Sequence, residues 1–442
     1  MHNKINLESE NIKLLFLRYF WPALITVLIK AGVIMADGMF VGQGVGPIGL
    51  ASIGLTMPLQ AMFTALSLIV GIGGAALMSI EFGKGRFKEG QEVFNQSLVM
   101  ILIVTCSLAL LTHSYSEEIL AFFGAEGNLM QAAGEYLSIM VIFYIFHVLV
   151  VVVTIFVIND ENPFLPMFAM FLGTVAFIIL GYVLIFSWSF GIKGAAYASV
   201  VAQIVMLLVL SIHFIFRQGR LTFNLVPLRF NRLKEILYIG SPTFFLELAT
   251  IIVMLVFNYV LLNEYSENHL AAYGITVNLS MVLMLFLSSI GQACQPIFSF
   301  SLGKKSITRV RAVLKLGLIY SMTMGVLATL LVFYFAPKLV GLYIEQQTQV
   351  KDLALDATKF YFLAAVALGI NLMSTTFFQA IKRPNLATIV SLSRGFVFIL
   401  LGFLVLPALF PAHGIWLLTL NAELITCALS VVLLKRYFTA AN

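Results

Sequence analysis

The sequence predicts an all-α integral membrane protein in which twelve transmembrane helices form two pseudo-symmetric six-helix lobes. Three observations support this prediction. Of the 442 residues, 61% are hydrophobic and only 10% are charged, whereas soluble domains carry about 25% charged residues. Apolar runs of about 20 residues recur along the whole chain, which indicates helices rather than a barrel. The third observation is an internal repeat with an offset of 220 residues.

Twelve segments are long and apolar enough to cross a bilayer. They lie near residues 13–38, 48–78, 93–113, 132–158, 163–187, 194–216, 235–262, 269–300, 312–335, 355–380, 386–410 and 413–435. Twenty Lys and Arg residues, beginning with Lys4, fall in the N-terminal stretch or after even-numbered spans. The opposite side has four: Lys193, Lys338, Lys351 and Lys359. The excess of basic residues predicts that both termini are cytoplasmic, and the N-terminus shows no cleavable signal peptide.

The two halves of the chain repeat each other in register. Residues of the same type lie 220 positions apart at Pro22/Pro242, Leu50/Leu270, Ala51/Ala271, Gly54/Gly274, Gly71/Gly291, Gly83/Gly303 and Lys84/Lys304. An even number of spans in each repeat gives both halves the same topology, as in parallel repeats of transporters. We therefore expect an N-lobe at 1–218, a polar cytoplasmic linker at 219–236 and a C-lobe at 237–442. Two such bundles can rock about a central cavity, which favours transport.

Other classes of function find little support. Cys106, Cys294 and Cys427 lie singly in apolar runs, which predicts neither disulfides nor a metal site. The six histidines lack metal-ligand spacing, and no His, Asp or Ser constellation suggests catalysis. We expect no catalytic residues, metal or cofactor. The basic residues are scattered over short loops, which does not suggest nucleic acid.

The first span carries two charges, Lys30 and Asp37. A charge at the bilayer centre costs about 2.5–3.5 kcal/mol on insertion scales, so such residues usually have a function. Their spacing of seven residues is about two helical turns and places both on nearly the same helix face. Desolvation disfavours the charged form of a carboxyl. Asp37 could therefore load protons near neutral pH and, when deprotonated, attract a cationic cargo. The alternative is an internal ion pair that fixes helix packing.

An ordered set of segments resembles one family, the multidrug and toxic compound extrusion (MATE) transporters. The resemblance covers essentially the whole chain. It is carried by Pro22 and Asp37, and by DGMFVGQGVGPIGLASIGL, EFGKG, GIKGAAYASVVAQ, GSPTFFLEL, LAAYGITVNL, FSLGKK and SLSRGF. The family implies a twelve-helix, two-lobe exporter that uses a proton or sodium gradient to expel organic, often cationic, compounds.

The resemblance also implies site residues. Asp37 matches the acid that binds the coupling ion, and Glu247 matches a second acid of the C-lobe. Pro22 can kink its helix, and the family interpretation makes it a bend coupled to protonation; a static packing kink is the alternative. An acid that some members carry in span ten is absent, and Asn371 is the nearest polar candidate.

The chain departs from the family in span five. Many members carry an Asn and an Asp there, four residues apart, where this sequence has Phe177 and Gly181. Because a hard cation needs several oxygen ligands, this loss favours protons over sodium. We also expect Phe177 and Gly181 to widen an apolar cavity wall.

Several polar residues have open roles. Lys30 could pair with Asp37 or Glu247, replace sodium as an internal cation, or snorkel to the interface. Gln60 and Gln292 are candidates for the cavity wall. Arg394 and Glu423 could form an ion pair within the C-lobe. The acidic stretch at 159–161 is interpreted as a solvated cytoplasmic turn.

The sequence thus favours a proton-coupled exporter of lipophilic or cationic organic compounds in a bacterial inner membrane. We expect a monomer whose partners are small molecules and membrane lipids. Alternatives are a sodium-coupled exporter of the same family and a lipid-linked precursor flippase of the same superfamily, although Lys30 alone provides little basic surface for a pyrophosphate. A membrane-embedded enzyme is the alternative of another class.

Overall fold

The computed structural model describes residues 5–224, 226–344, 349–411 and 413–440. Lys4, the first basic residue of the topology argument, lies outside this range, as do both ends of the chain. The helices are α1 (Ile12–Gly44), α2 (Pro47–Gly83), α3 (Phe87–Ser114), α4 (Ser116–Phe122), α5 (Gly127–Asn159), α6 (Phe164–Tyr182), α7 (Gly191–Ile215), α8 (Phe230–Val260), α9 (Glu267–Gly303), α10 (Ile307–Gly341), α11 (Gln349–Leu363), α12 (Ala365–Ala380), α13 (Pro384–Leu392), α14 (Phe398–Leu409) and α15 (Gly414–Ala440). Short π-helical turns occupy Val183–Ser187, Leu261–Tyr265 and Ser393–Val397.

The predicted all-helical membrane fold is confirmed. Within the described residues, eleven helical segments are long and apolar enough to span a bilayer. The pair α11 and α12 is bent by 48° at Ala364 and supplies the twelfth span when counted as one. The predicted span at 355–380 falls on this pair. Several helices continue beyond their predicted ends because apolar patterning detects the part in lipid and not the turns outside it.

The chain divides into two compact units. The first comprises Met1–Gly240 with Ser299–Lys305, and the second comprises Ser241–Phe298 with Ser306–Asn442. Each unit therefore contains most of one sequence repeat, and the end of α9 belongs to the first unit.

Small residues allow close helix packing in the first unit. A Cβ at Gly74 of α2 would meet the Ser97 Oγ of α3 at 2.5 Å and the ring of Phe156 of α5 at 2.7 Å. Gly71, one turn earlier, faces Ile155 of α5 in the same way. Such contacts suit a membrane, where helices associate by packing rather than by the hydrophobic effect.

The second unit has an apolar core at one end of its helices. Phe257 of α8 stacks on Tyr273 of α9 with ring centroids 4.6 Å apart and meets Phe403 of α14 edge to face at 4.8 Å. Trp416 of α15 joins the same cluster of buried residues. Aromatic pairs of this kind add about 0.5–1.5 kcal/mol each beyond the area they bury.

The linker is bonded to the first unit by a group of buried polar side chains, here called the linker clamp: Asn95, Asp160 and His213. The Asp160 Oδ2 accepts hydrogen bonds from His213 Nε2 at 2.8 Å and from the backbone N–H groups of Arg220 (2.8 Å) and Leu221 (3.0 Å). Asn95 donates to the Thr222 carbonyl and accepts from the Asn224 N–H, both at 2.9 Å.

The interpretation of 159–161 as a solvated turn was wrong for two of its three residues. Asn159 is 1% exposed and Asp160 is 3% exposed. Their side chains form hydrogen bonds with residues far away in the sequence. Asn159 Oδ1 accepts from Ser79 Oγ at 2.8 Å, and Asp160 accepts from the backbone of the linker. A local acidic pattern does not reveal partners that lie 53 to 80 residues away.

Substituting Asp160→Ala should loosen the linker. The change leaves three donors without their acceptor, and a buried unsatisfied donor costs about 1–3 kcal/mol. We expect a lower thermal unfolding midpoint in detergent and faster proteolytic cleavage within 219–224. Asp352→Ala, at an exposed aspartate of α11, is the matched control and should change neither. Unchanged cleavage of the Asp160 variant would contradict the role given to the clamp.

Candidate functional site

The two charges of α1 remain unpaired within the N-terminal unit. Lys30 is exposed and Asp37 is half-buried. Among the described residues, neither side chain takes part in a salt bridge or a hydrogen bond, so the direct pair considered from the sequence is not formed. The rise of seven residues along a helix is about 10 Å, which explains why the two groups do not meet.

Helix α5 carries a polar stripe along one of its faces. Tyr136, Tyr144 and His147 follow one another at helical spacing along one face of α5. Asp37 lies within electrostatic range of Tyr136, and Lys30 lies within electrostatic range of His147. Consecutive membrane spans alternate in direction, so α1, the first span, and α5, the fourth, run antiparallel.

A short hydrogen-bond chain from α2 reaches His147. The Thr64 hydroxyl of α2 donates to the Gln60 carbonyl at 2.9 Å. Its oxygen lies 3.3 Å from His147 Nε2. With the hydroxyl hydrogen directed to Gln60, this oxygen is an acceptor for an N–H at Nε2. Among the described residues, the buried Nδ1 has no hydrogen-bond partner.

The predicted cavity residues Phe177 and Gly181 are buried against α1. The Phe177 ring lies 6.5 Å from that of Phe40, and a Cβ at Gly181 would meet the Phe40 ring at 3.0 Å. Phe177 also packs with Leu184. Apolar contacts thus surround both positions. The expectation that they widen a cavity wall stays a prediction.

Pro22 is buried within the continuous helix α1. It has no N–H to donate to the preceding turn, while its own carbonyl accepts from Thr26 Oγ1 at 2.8 Å. Its role as a moving bend stays a prediction. Gln60 is half-buried, and its side chain lies on the same helix as Thr64.

In the C-terminal unit, Glu247 is half-buried on α8 and Gln292 is exposed on α9. Neither has a hydrogen bond or ion pair within the part of the chain that the structure describes. Their predicted roles in cation binding and cavity lining remain predictions.

The predicted ion pair between Arg394 and Glu423 is confirmed. Arg394 Nε donates to Glu423 Oε1 at 2.9 Å, and the two side chains are 7% and 3% exposed. Asn371 Nδ2 donates to Glu423 Oε2 at 2.8 Å, and Asn371 Oδ1 accepts from Ser430 Oγ at 2.8 Å. The network links α12, α15 and the π-helical turn at Ser393–Val397.

This network gives Asn371 a fully buried position with all its polar atoms engaged. Asn371 was predicted from the sequence to be a candidate cavity residue, and that role stays a prediction. No group of three or more His, Cys, Asp or Glu side chains that could hold a metal ion is found among the described residues.

Comparison with known families places these features in context. The MatE family profile matches the chain twice, over residues 22–183 and 242–404. The chain belongs to the MatE family. The two matches begin at Pro22 and Pro242, so the family unit recurs with the offset of the internal repeat. Members of this family are transporters, and the chain is a multi-pass membrane transporter rather than an enzyme.

Individual relatives cover nearly the whole MatE chain. It is 26% identical to the multidrug export protein MepA of Staphylococcus saprophyticus over 393 residues, which is 87% of this chain and 85% of the relative. MepA of Staphylococcus aureus strain N315 is 25% identical over 392 residues, with the same shares of each chain.

Solved structures confirm the MatE fold. An outward-facing multidrug resistance MATE transporter of the MOP superfamily superposes with a TM-score of 0.93 at 20% identity, covering 100% of this chain and 99% of that one. A mutant of the Vibrio cholerae MATE transporter VcmN gives 0.90 at 20% identity, with 97% of each chain covered. At this identity the likeness shows the fold alone.

Sequence reasoning missed the polar stripe of α5 in this MatE protein. His147 was passed over because histidines were searched for metal spacing, and Tyr136 and Tyr144 were not considered. A detectable signal was present: two hydroxyl groups and an imidazole on one face of a mainly apolar span. Such side chains in a spanning helix usually face protein or water.

Replacing Arg394 by Met should destabilise the C-terminal unit. Glu423 would keep a buried charge without its partner, which costs about 3–5 kcal/mol. We expect a clear fall in the thermal unfolding midpoint of the purified protein. The double variant Arg394→Met/Glu423→Met should recover much of the loss because no buried charge remains.

Lys193→Met provides the matched control. Lys193 lies 3.5 Å from Glu135, and these side chains are 47% and 38% exposed. An exposed pair contributes about 0–1 kcal/mol, so this variant should remain close to wild type. An equal fall in the unfolding midpoint for Arg394→Met and Lys193→Met would contradict the stabilising role assigned to the buried ion pair.

Proposed function

We propose that this MatE-family transporter exports lipophilic, often cationic organic compounds in exchange for protons by alternating access. The proposal rests on Asp37, a carboxyl of a spanning helix that has no ion-pair partner among the described residues. A buried carboxyl that is not neutralised by a neighbouring side chain can be neutralised by a proton or by a cationic cargo. Because the two compete for one carboxyl, binding of one favours release of the other.

The relatives support the chemistry of the cargo. Staphylococcal proteins that match 85% of their own length are named multidrug export proteins. The phenylalanines and methionines of this chain, 39 and 18 in number, offer soft apolar surface for varied lipophilic compounds. We carry the export of organic compounds over to this chain on that ground.

Protons are favoured over sodium by what surrounds Asp37. A hard cation needs several oxygen ligands, and the packing of Phe40 against Phe177 and Gly181 fills one side of α1 with carbon. A proton needs only the carboxyl itself. Sodium coupling is the second candidate, because Glu247 and Asp37 both remain unpaired within the described residues.

We further propose that the chain lies in the cytoplasmic membrane of a bacterium, as a monomer with both termini inside. The distribution of basic residues supports this orientation. The lobes of the proposed cycle correspond to 1–218 and 237–442, joined by 219–236. A lipid-linked precursor flippase is less well supported, because a pyrophosphate calls for several basic residues and Lys30 is the one basic residue of α1 beyond its first two turns.

Substituting Asp37→Asn should abolish export, because an amide cannot exchange a proton for a cation. Accumulation of a fluorescent lipophilic cation would be measured in cells that express the protein, with and without a protonophore. Wild-type cells should exclude the dye until the protonophore is added, and the variant should accumulate at least about tenfold more, as expected for loss of a charge-assisted contact. Asp352→Asn is the matched control and should export normally. Normal export by Asp37→Asn at equal expression would reject the coupling role.

The coupling ion is tested separately in everted vesicles. Replacing sodium by choline at constant pH should leave drug uptake unchanged, since the proposed exchange uses only protons. Collapse of the pH gradient should stop uptake. Loss of uptake on removal of sodium would reject the proton as the coupling ion in favour of sodium. The proposed role of Asp37 as the coupling carboxyl would be unaffected.

A further inference from the structure

Two short loops border a basic cavity at one end of the first unit, here called the loop cavity. The loop at 84–86 joins α2 to α3, and the loop at 304–306 joins α9 to α10. The cavity has a volume of about 500 Å³, and all of its lining residues belong to the first unit. Glycine backbone forms part of the wall, and the other lining residues are cations: Lys84, Arg86, Lys304 and Lys305.

Close packing of two helix ends brings these cations together. A Cβ at Gly83, the last residue of α2, would meet the Phe300 carbonyl oxygen of α9. A Cβ at Gly303, the last residue of α9, would meet the Ile80 carbonyl oxygen of α2. Glycine permits such a close approach of two backbones. The basic side chains that follow each glycine therefore share one space.

The short loops place the loop cavity at the membrane surface. Helices α2, α3, α9 and α10 are each long and apolar enough to span a bilayer. A connection of three residues between two such helices keeps the loop close to the lipid headgroups. Basic clusters at this level of a membrane protein attract the headgroups of anionic lipids.

Carboxylates neutralise only part of the basic wall. Glu81 Oε1 lies 2.6 Å from Lys84 Nζ, and Glu81 Oε2 lies 3.8 Å from a guanidinium nitrogen of Arg86. Lys304 Nζ donates to Glu8 Oε1 at 2.6 Å. Among the described residues, the four cations of the wall therefore share two carboxylates, which leaves an excess of positive charge for a ligand.

Lys305 and Arg86 occupy positions that the local backbone disfavours. Lys305 has a φ of 56°, in the left-handed region that glycine adopts more readily, and its repeat equivalent is Gly85 with a φ of 79°. Arg86 is the N-cap of α3 and makes no capping hydrogen bond with its side chain. The positive end of a helix dipole disfavours a cation and favours an anion. An anion bound between the two side chains accounts for both positions.

We propose that the loop cavity binds a phosphate-bearing anion, supplied in the membrane by the headgroup of an anionic phospholipid. Lysine and arginine form charge-assisted hydrogen bonds with phosphate oxygens, and one guanidinium can bind two of these oxygens. The membrane surface holds such headgroups beside the cavity, whereas a soluble phosphate must come from dilute solution. The inference goes beyond the proposed function, because the site uses neither Asp37 nor Glu247 and its ligand depends on neither the coupling ion nor the cargo.

Native mass spectrometry of the purified full chain in detergent provides the test. It would measure the affinity for phosphatidylglycerol and for phosphatidylcholine with the same acyl chains. We expect wild type to prefer phosphatidylglycerol. Lys305→Gly should weaken its binding about fivefold, as for one basic residue near an anionic lipid surface, and Lys305→Gly/Arg86→Gln should weaken it roughly 25-fold. The affinity for phosphatidylcholine should stay the same.

The backbone supplies a matched control. Lys382 is another lysine with positive φ, at 59°, and it does not line the loop cavity. Lys382→Gly should therefore keep the affinity of wild type. Lys305→Gly should fold at least as stably as wild type, because glycine adopts this φ without strain. Lys305→Asn is the second variant, since asparagine also tolerates the left-handed region. Unchanged affinity for phosphatidylglycerol in every folded variant of Lys305 and Arg86 would overturn the inference.

Inorganic phosphate distinguishes the two sources of the anion. We expect millimolar phosphate to leave the phosphatidylglycerol affinity of wild type unchanged, because free phosphate lacks the acyl chains that hold a headgroup at the membrane surface. Displacement of the lipid by phosphate, together with phosphate protecting wild type but not Lys305→Gly/Arg86→Gln against thermal unfolding, would overturn the lipid as the source of the anion.

Discussion

Placing an ionised side chain in a bilayer costs free energy, and this cost constrains every charged residue of the spanning helices. Each charge within a spanning segment must be matched by a partner, by water or by a ligand. Arg394 and Glu423 are matched inside the protein, with a short hydrogen bond and further support from Asn371. Lys30, Asp37 and Glu247 have no such partner in the described part of the chain. The difference separates charges that are neutralised inside the protein from charges that have no partner among the described residues.

Most of the fold could be predicted from the sequence because its causes are local or periodic. Apolar length predicts spans, and the offset of 220 residues predicts two equivalent halves. The bend at Ala364 and the short helix α4 were not predicted, because neither interrupts hydropathy enough to be seen. The ion pair between Arg394 and Glu423 was predicted because two opposite charges in adjacent apolar spans have few alternatives.

The site could be predicted only in part. Asp37, Lys30 and Glu247 stand out because a charge in an apolar run is conspicuous by itself. His147 became notable only once Thr64, 83 residues away, was seen beside it. Asp160 was misjudged for the same reason: its donors lie on α7 and in the linker. Residues whose meaning depends on distant partners require the tertiary structure.

The bonding of the linker also determines where the polypeptide can be divided. The stretch through Asn224 is tied to Asp160 and Asn95, and the Pro227 carbonyl accepts from Gln96 Nε2 at 3.1 Å. A break directly after α7 would remove from the first fragment the linker backbone that forms hydrogen bonds with the buried side chains of Asp160 and Asn95. A two-fragment version of the protein, or a fusion inserted between its halves, therefore needs its junction after Pro227.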